Sequence, residues 1–304
     1  MPRSVPAIIS AAAATAGLLA AAAALAGPAA GSAGSAGNTS AVSTGLASTA
    51  LASTGICKSA IRPKLAARLS HGIEKALAGR VSAVGLTVAD PRLGLTCALD
   101  QTRHFDSASA IKATIISALL YKEHGPSHLT SAQRGLAWEM ITESDNDAAT
   151  ALWNEVGLAS LQRFLNAAHM THTVLDDSAW GLSQLTAQDE LKLLSLLATP
   201  GKVLSAASRG YVLWLMAHVI PSQHWGVPAG APAGVTVSVK NGWLPDPNNG
   251  LWHINSIGVF RGTNVTYEIA VLTSGNPTMA YGVETIEKAA YTINIDIYRA
   301  TLPR

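Results

Sequence analysis

The order of hydrophobic periods constrains this chain most. Two short strand-like segments, Val81–Val88 and Leu95–Leu99, are followed by a long helical stretch. Three further strand-like segments then come in succession, Val235–Lys240, Trp252–Phe260 and Tyr267–Thr273, before a final amphipathic segment over about 279–299. Strands do not alternate with helices, as a parallel sheet would require. The pattern predicts an α+β fold: one antiparallel sheet flanked by helices, with an all-helical lobe inserted between its strands. Ahead of the first strand, Ile61, Leu65, Leu69, Ile73 and Leu77 recur every fourth residue and predict a helix over about 61–78, with Pro63 in its first turn. Ala89-Asp90-Pro91-Arg92-Leu93-Gly94 reads as the turn of a hairpin. Three or four helices are expected between the helix that begins at Ser109 and about residue 219. One of them opens at Thr186-Ala187-Gln188-Asp189, read as a capping box, and buries Leu191, Leu193, Leu194 and Leu197.

The folded unit is expected at 57–304. Residues 7–26 are almost wholly small or apolar, follow Arg3, and end in Ala24-Leu25-Ala26, the pattern of a cleavable signal peptide over 1–26. An uncleaved anchor is the rival reading of that run. No paired arginines precede it and no cysteine follows closely enough to take a lipid. Residues 27–56 are mostly Gly, Ala, Ser and Thr and read as a linker. The expectation is therefore a secreted or extracytoplasmic protein without a stable membrane span in its mature form. Cys57 and Cys97 form either a disulfide tying the first helix to the sheet or two unpaired thiols. A formal charge of +2 with no Lys/Arg cluster argues against nucleic acid as a partner.

Three short motifs carry the chemistry. Ser109 and Lys112 are three apart on one helix face, so a hydroxyl and an amine can meet. The apolar neighbours Ala110, Ile111, Ala113, Ile115 and Ile116 would bury Lys112 and lower its pKa, as a general base needs. Ser144-Asp145-Asn146 falls between helices and Lys240-Asn241-Gly242 at the end of a strand. Singly these read as a capping serine with a solvated lysine, a capping turn and a hairpin turn. In this order on these elements they point to covalent serine catalysis. His169 and His172 lack a third ligand, so no metal is expected, and nothing calls for a cofactor.

With these motifs, and with Val227–Gly234 leading into Lys240, the chain over 57–304 resembles the class A β-lactamases and the related penicillin-binding serine peptidases. The resemblance implies that Ser109 is acylated, Lys112 accepts its proton and Ser144 relays a proton to the leaving nitrogen. It also implies that Asn146 binds the substrate's amide side chain and Lys240 attracts its carboxylate while orienting Ser144. The backbone N–H groups of Ser109 and Trp243 would form the oxyanion hole. Asn241 and Gly242 join Lys240 on the substrate side. The implied substrate is a small β-lactam or a D-alanyl peptide, acted on by a monomer; the alternatives are a D-alanyl-D-alanine peptidase or a slowly deacylating penicillin-binding sensor.

Two positions depart from the family. Asn241 stands where the family has threonine or serine, and Ala179 falls where class A enzymes have the glutamate that activates the deacylating water. Asp176 and Asp177 are the nearby carboxylates that could substitute, or they are turn residues. Trp180, Trp243 and Trp252 are read either as cleft walls or as core.

Overall fold

The computed structural model describes residues 55–302; the signal peptide and all of the linker except Gly55 and Ile56 lie outside them. The elements run β1 (Cys57–Ser59), α1 (Pro63–Leu77), β2 (Ala83–Asp90), β3 (Leu95–Leu99), β4 (Phe105–Asp106), α2 (Lys112–Lys122), α3 (Ser131–Trp138), α4 (Asn146–Val156), α5 (Leu158–Ala167), β5 (Gln184–Leu185), α6 (Ala187–Ala198), α7 (Ala206–Ala217), β6 (Thr236–Pro245), β7 (Trp252–Gly262), β8 (Val265–Asn276) and α8 (Met279–Thr301). Six strands form one antiparallel sheet in the order β1-β3-β2-β8-β7-β6, and β4 pairs with β5 apart from it.

The strand period of two sorts side chains onto the two faces of the sheet. On one face Leu86, Val88, Ile269 and Val271 meet Leu65, Leu69 and Ile73 of α1 and Ile286, Ala289 and Ile293 of α8. On the other, Ile257, Val259, Ala270 and Leu272 join the core of the helical lobe, with Ile115, Leu119, Leu152, Phe164 and Leu193. The sheet is therefore the middle layer. Ser109 and α2 enter from the helical side, close to the sheet edge formed by β6.

Several details differ from the sequence reading. Five α-helices, not three or four, lie between α2 and residue 219 among the described residues. The full capping box belongs to Thr130 and Gln133 at α3; Thr186 caps α6 through Asp189 N–H, but Asp189's carboxylate turns to His172 and Thr173. Cys57 and Cys97 are disulfide-bonded, yet the bond ties β1 to β3 rather than the first helix to the sheet. Cys57 sits in an edge strand facing Cys97, and α1 begins only at Pro63. Lys240-Asn241-Gly242 lies inside β6, because the strand continues through Trp243 and Leu244 to Pro245.

Two buried carboxyls make stability depend on pH. Among the described residues Glu268 on β8 has no hydrogen-bond partner for either carboxylate oxygen; burial first, then the charge of Asp90, raises its pKa to about 7. Burial, and next Asp189, pushes Glu190 of α6 up to about 8. Both groups lose their protons near 4.5 when the chain unfolds, so the folded state holds protons that the unfolded state releases. Their contribution is complete below about pH 4.5 and is lost as pH rises through about 7 to 8. The Tm of Glu268→Gln relative to wild type is expected to rise between pH 5 and pH 8, because the variant lacks this loss, worth roughly 3 kcal/mol at pH 8. A melting series over that range, with the variant unchanged from wild type, would contradict this.

Candidate active site

Ser109 lies in a 3-10 turn, Ala108–Ile111, that leads into α2; the α-helix itself starts at Lys112. Asn255 of β7 holds that turn against the sheet. Its amide donates to the carbonyls of Asp106 (2.8 Å) and Ser107 (3.0 Å), and its own oxygen accepts from Thr273 N–H. Ala108 has a left-handed backbone (φ 44°), a conformation that costs a residue with a Cβ energy and marks a turn held by its surroundings. Ser109 is half-buried, and its hydroxyl makes no side-chain hydrogen bond among the described residues.

Lys112 is fully buried among apolar residues of α2. Its Nζ donates to the Ser144 carbonyl (2.7 Å), to Asn146 Oδ1 (2.8 Å) and, at 3.3 Å, to Ser144 Oγ. The Trp180 ring covers it, with Nζ 4.9 Å from the ring centre. Burial lowers its pKa to about 7, opposed by the negative charge of Asp145. At neutral pH a large fraction of this amine is therefore unprotonated and able to accept a proton. No hydrogen bond joins it to Ser109 among the described residues.

The Ser144 segment is shaped by its own turn. A π-helical turn, Glu139–Glu143, ends at Ser144 in the left-handed region (φ 61°). Asp145 then caps α4 by accepting from Ala148 N–H (2.7 Å), and Asn146 begins the helix. This reversal turns Ser144 toward two amines at once: Lys240 Nζ lies 2.9 Å from the same Oγ that Lys112 approaches. Lys240 is buried as well, and its pKa is held well below the usual lysine value by burial and then by the nearby charge of Lys112. One hydroxyl thus links two lysines of weakened basicity, which makes Lys112, Ser144, Asn146 and Lys240 one polar cluster at the junction of sheet and helical lobe; Ser109 stands three residues before Lys112, in the turn that Gly242 lies against.

Gly242 is what lets the sheet approach. A Cβ there would lie 2.6 Å from Ala110 N, 2.8 Å from Ser109 N and 2.9 Å from Ser107 O, far inside van der Waals contact. Asn241, expected on the substrate side, is buried, and its amide donates to the carbonyls of Gln223 (2.7 Å) and Trp225 (3.1 Å), so its side chain anchors the 223–225 segment. Trp243 is half-buried and packs its ring on Trp225 (centres 5.9 Å apart), while Trp252 packs into the core beneath α8.

The loop that faces Lys112 carries no carboxylate toward it. Asp176 accepts from Ser178 N–H, Ser178 Oγ and Ala179 N–H, the pattern of a turn cap, and these bonds hold its pKa below the ordinary value. Asp177 is exposed. Trp180, one residue past Ala179, fills the position over the amine instead. Asn255 and Ala108 were not singled out from sequence. A lone amide inside the apolar run Trp252–Phe260 is the signal that marks Asn255, whereas nothing in an alanine announces a left-handed backbone.

Residues 117–297, more than half of the chain, match the Beta-lactamase enzyme family. The chain belongs to that family. Among solved structures, a mutant class A β-lactamase reconstructed for the last common ancestor of Gram-negative bacteria is 21% identical with a TM-score of 0.64, covering 77% of this chain and 100% of its own. The β-lactamase of Sphaerobacter thermophilus DSM 20745 is 19% identical with a TM-score of 0.65, covering 77% and 98%. A mutant of PBP-A, captured as an acyl-enzyme complex with penicillin-G, is 18% identical with a TM-score of 0.66, covering 77% and 97%. At such identities the likeness defines the fold. No curated protein matches the chain.

Proposed function

We propose that this protein is an exported serine hydrolase that opens a β-lactam, or a related D-alanyl amide, by forming an acyl-enzyme on Ser109, and that release of the acyl group is slow. The observation that carries the reading is the buried amine of Lys112, lowered to about 7 and bonded to Ser144 and Asn146. The neutral fraction of Lys112 takes the Ser109 proton as Oγ attacks the carbonyl carbon. Catalytic hydrogen bonds commonly tighten only when substrate is bound, so the open Ser109–Lys112 geometry is compatible with this step. The N–H groups of Ser109 and Trp243 receive the developing oxyanion; β6 is the sheet edge, where alternate N–H groups point away from the neighbouring strand. Ser144, bridged between the two lysines, passes a proton to the leaving nitrogen. Asn146 binds the acyl amide, and Lys240 attracts the substrate carboxylate. The Asn241 side chain has no part in that contact, since its amide is occupied; Gly242 serves by its lack of a Cβ.

A specific observation favours the penicillin-binding end of this reading over fast hydrolysis. The loop over Lys112 offers an indole and a turn-capping aspartate, not a carboxylate aimed at the amine. Among the fold relatives, a PBP-A mutant was captured as an acyl-enzyme complex with penicillin-G, which supports penicillin as the test compound. The Cys57–Cys97 disulfide supports an oxidising, extracytoplasmic location.

The test is a time course of intact mass and product after mixing the protein with penicillin G, alongside a D-alanyl-D-alanine peptide. A penicilloyl adduct that persists while little product appears supports the proposal. Rapid product with no standing adduct would identify a fast lactamase and overturn the slow-release part. Neither adduct nor peptide cleavage would overturn all of it.

A further inference from the structure

We infer that Trp180 is the cover that keeps hydrolytic water from the acylated Ser109, so that the lifetime of the acyl-enzyme is set by this indole; the inference rests on the acylation reading above. Three sides of the Lys112 amine are taken by Ser144 O, Ser144 Oγ and Asn146 Oδ1. The indole face meets it from the loop side at 4.9 Å. The residue is braced through its indole and through its backbone. Its Nε1 donates to Thr150 Oγ1 of α4 (3.1 Å), and its carbonyl accepts from Ser107 Oγ (3.1 Å), two residues before Ser109. Ser107 N–H donates to Ser183 O (2.8 Å), so the loop is clamped to the nucleophile's turn on either side of Gly181 and Leu182. Trp180 thus bridges the turn bearing Ser109 and the helix bearing Asn146, and roofs the amine between them.

Hydrolysis of the acyl-enzyme needs a water oxygen to bond to the acyl carbon while the bond to Ser109 Oγ breaks. One water proton goes to a base and Ser109 Oγ recovers a proton. Lys112, neutral in part near pH 7, is the base within the cluster, but a water must lie beside it and the ester. An apolar ring lying over the amine at 4.9 Å occupies that place, because a bound water needs polar partners and room. Trp180 acts through exclusion and not through proton transfer.

The experiment acylates wild type, Trp180→Ala, Trp180→Phe and Thr150→Val with penicillin G at pH 7, removes excess drug and follows adduct decay by intact mass. Decay in Trp180→Ala is expected to be at least about tenfold faster, whereas Trp180→Phe, which keeps an aromatic cover, should stay within about threefold of wild type. Thr150→Val, like Trp180→Phe, loses the bond that ties the ring to α4, and both are expected to decay faster than wild type and slower than Trp180→Ala, which tests the cover even if the alanine variant does not fold. An additional readout is the pH dependence of acylation: exposing Lys112 to water raises its pKa, so the rising limb should move to higher pH in Trp180→Ala. Adduct lifetimes equal in wild type, Trp180→Ala and Thr150→Val would overturn the cover while leaving acylation intact. Absence of an adduct in wild type would overturn both.

Discussion

Replacing Lys112 with methionine is expected to slow acylation by penicillin G about a thousandfold, with no loss of fold, because it removes the amine proposed as the base and keeps the apolar bulk. The amine is fully buried and its pKa is lowered to about 7 chiefly by burial, so its presence there is costly to the folded state. Methionine fills the space among Ala110, Ile111, Ala113 and Ile115 without that charge. Against this, the Ser144 carbonyl and Asn146 Oδ1 each lose a donor. The sign of the pH effect follows from the role. A base must be unprotonated, so the wild-type acylation rate should rise about tenfold per pH unit below about 7 and flatten above it. Stopped-flow acylation rates between pH 5 and 9 measure both effects. A flat wild-type profile, or a Lys112→Met rate within a few fold of wild type, would remove Lys112 from the base role.

The second large effect is expected at Gly242. Gly242→Val should cut acylation at least a hundredfold and lower stability by about 1–3 kcal/mol, since an overpacked contact forces the backbone apart. The close atoms are the backbone nitrogens of Ser109 and Ala110 and the carbonyl of Ser107, none of which can swing aside as a side chain could. β6 must therefore retreat from the Ser109 turn, carrying Trp243 N–H away from the oxyanion position proposed above and Lys240 away from Ser144. The 2.9 Å Lys240–Ser144 bond and the Asn255 bonds to Asp106 and Ser107 are loosened by the same movement. Burst-phase acylation and thermal melting report the two effects separately. A Gly242→Val protein acylated at the wild-type rate would contradict the tight approach of strand and turn.

The parts of this architecture with long periodic patterns are readable from the chain alone. Leu65, Leu69 and Ile73 mark one face of α1, and the apolar runs at Trp252–Phe260 and Tyr267–Thr273 mark β7 and β8, because burial repeats at the period of each element. β1 is three residues long and has no period to read; it exists because Cys57 pairs with Cys97 across the sheet edge. Residue type alone singles out Ser109, Lys112, Ser144, Asn146 and Lys240 as candidates, and the hydrogen bonds among Lys112, Ser144, Asn146 and Lys240 bring four of them together. The site was not legible where long-range packing decides orientation. Asn241 looks like a ligand contact in sequence, but the 223–225 segment, far away in the chain, supplies the carbonyls that claim its amide. Trp180 could be weighed only as wall or core until the loop fold set its ring against Lys112. Asp176, a candidate base by type, is spent on capping its own turn.

Each step proposed for this protein depends on covalent acylation at Ser109, which tryptic mapping of the penicillin-G-treated protein locates. Cleavage after Arg103 and Lys112 releases His104–Lys112, a peptide that holds both Ser107 and Ser109. Fragmentation should place the penicilloyl group on Ser109, and Ser109→Ala should carry no adduct anywhere in the chain. A penicilloyl group on Ser107 or on any other residue, or an adduct that survives Ser109→Ala, would contradict the account.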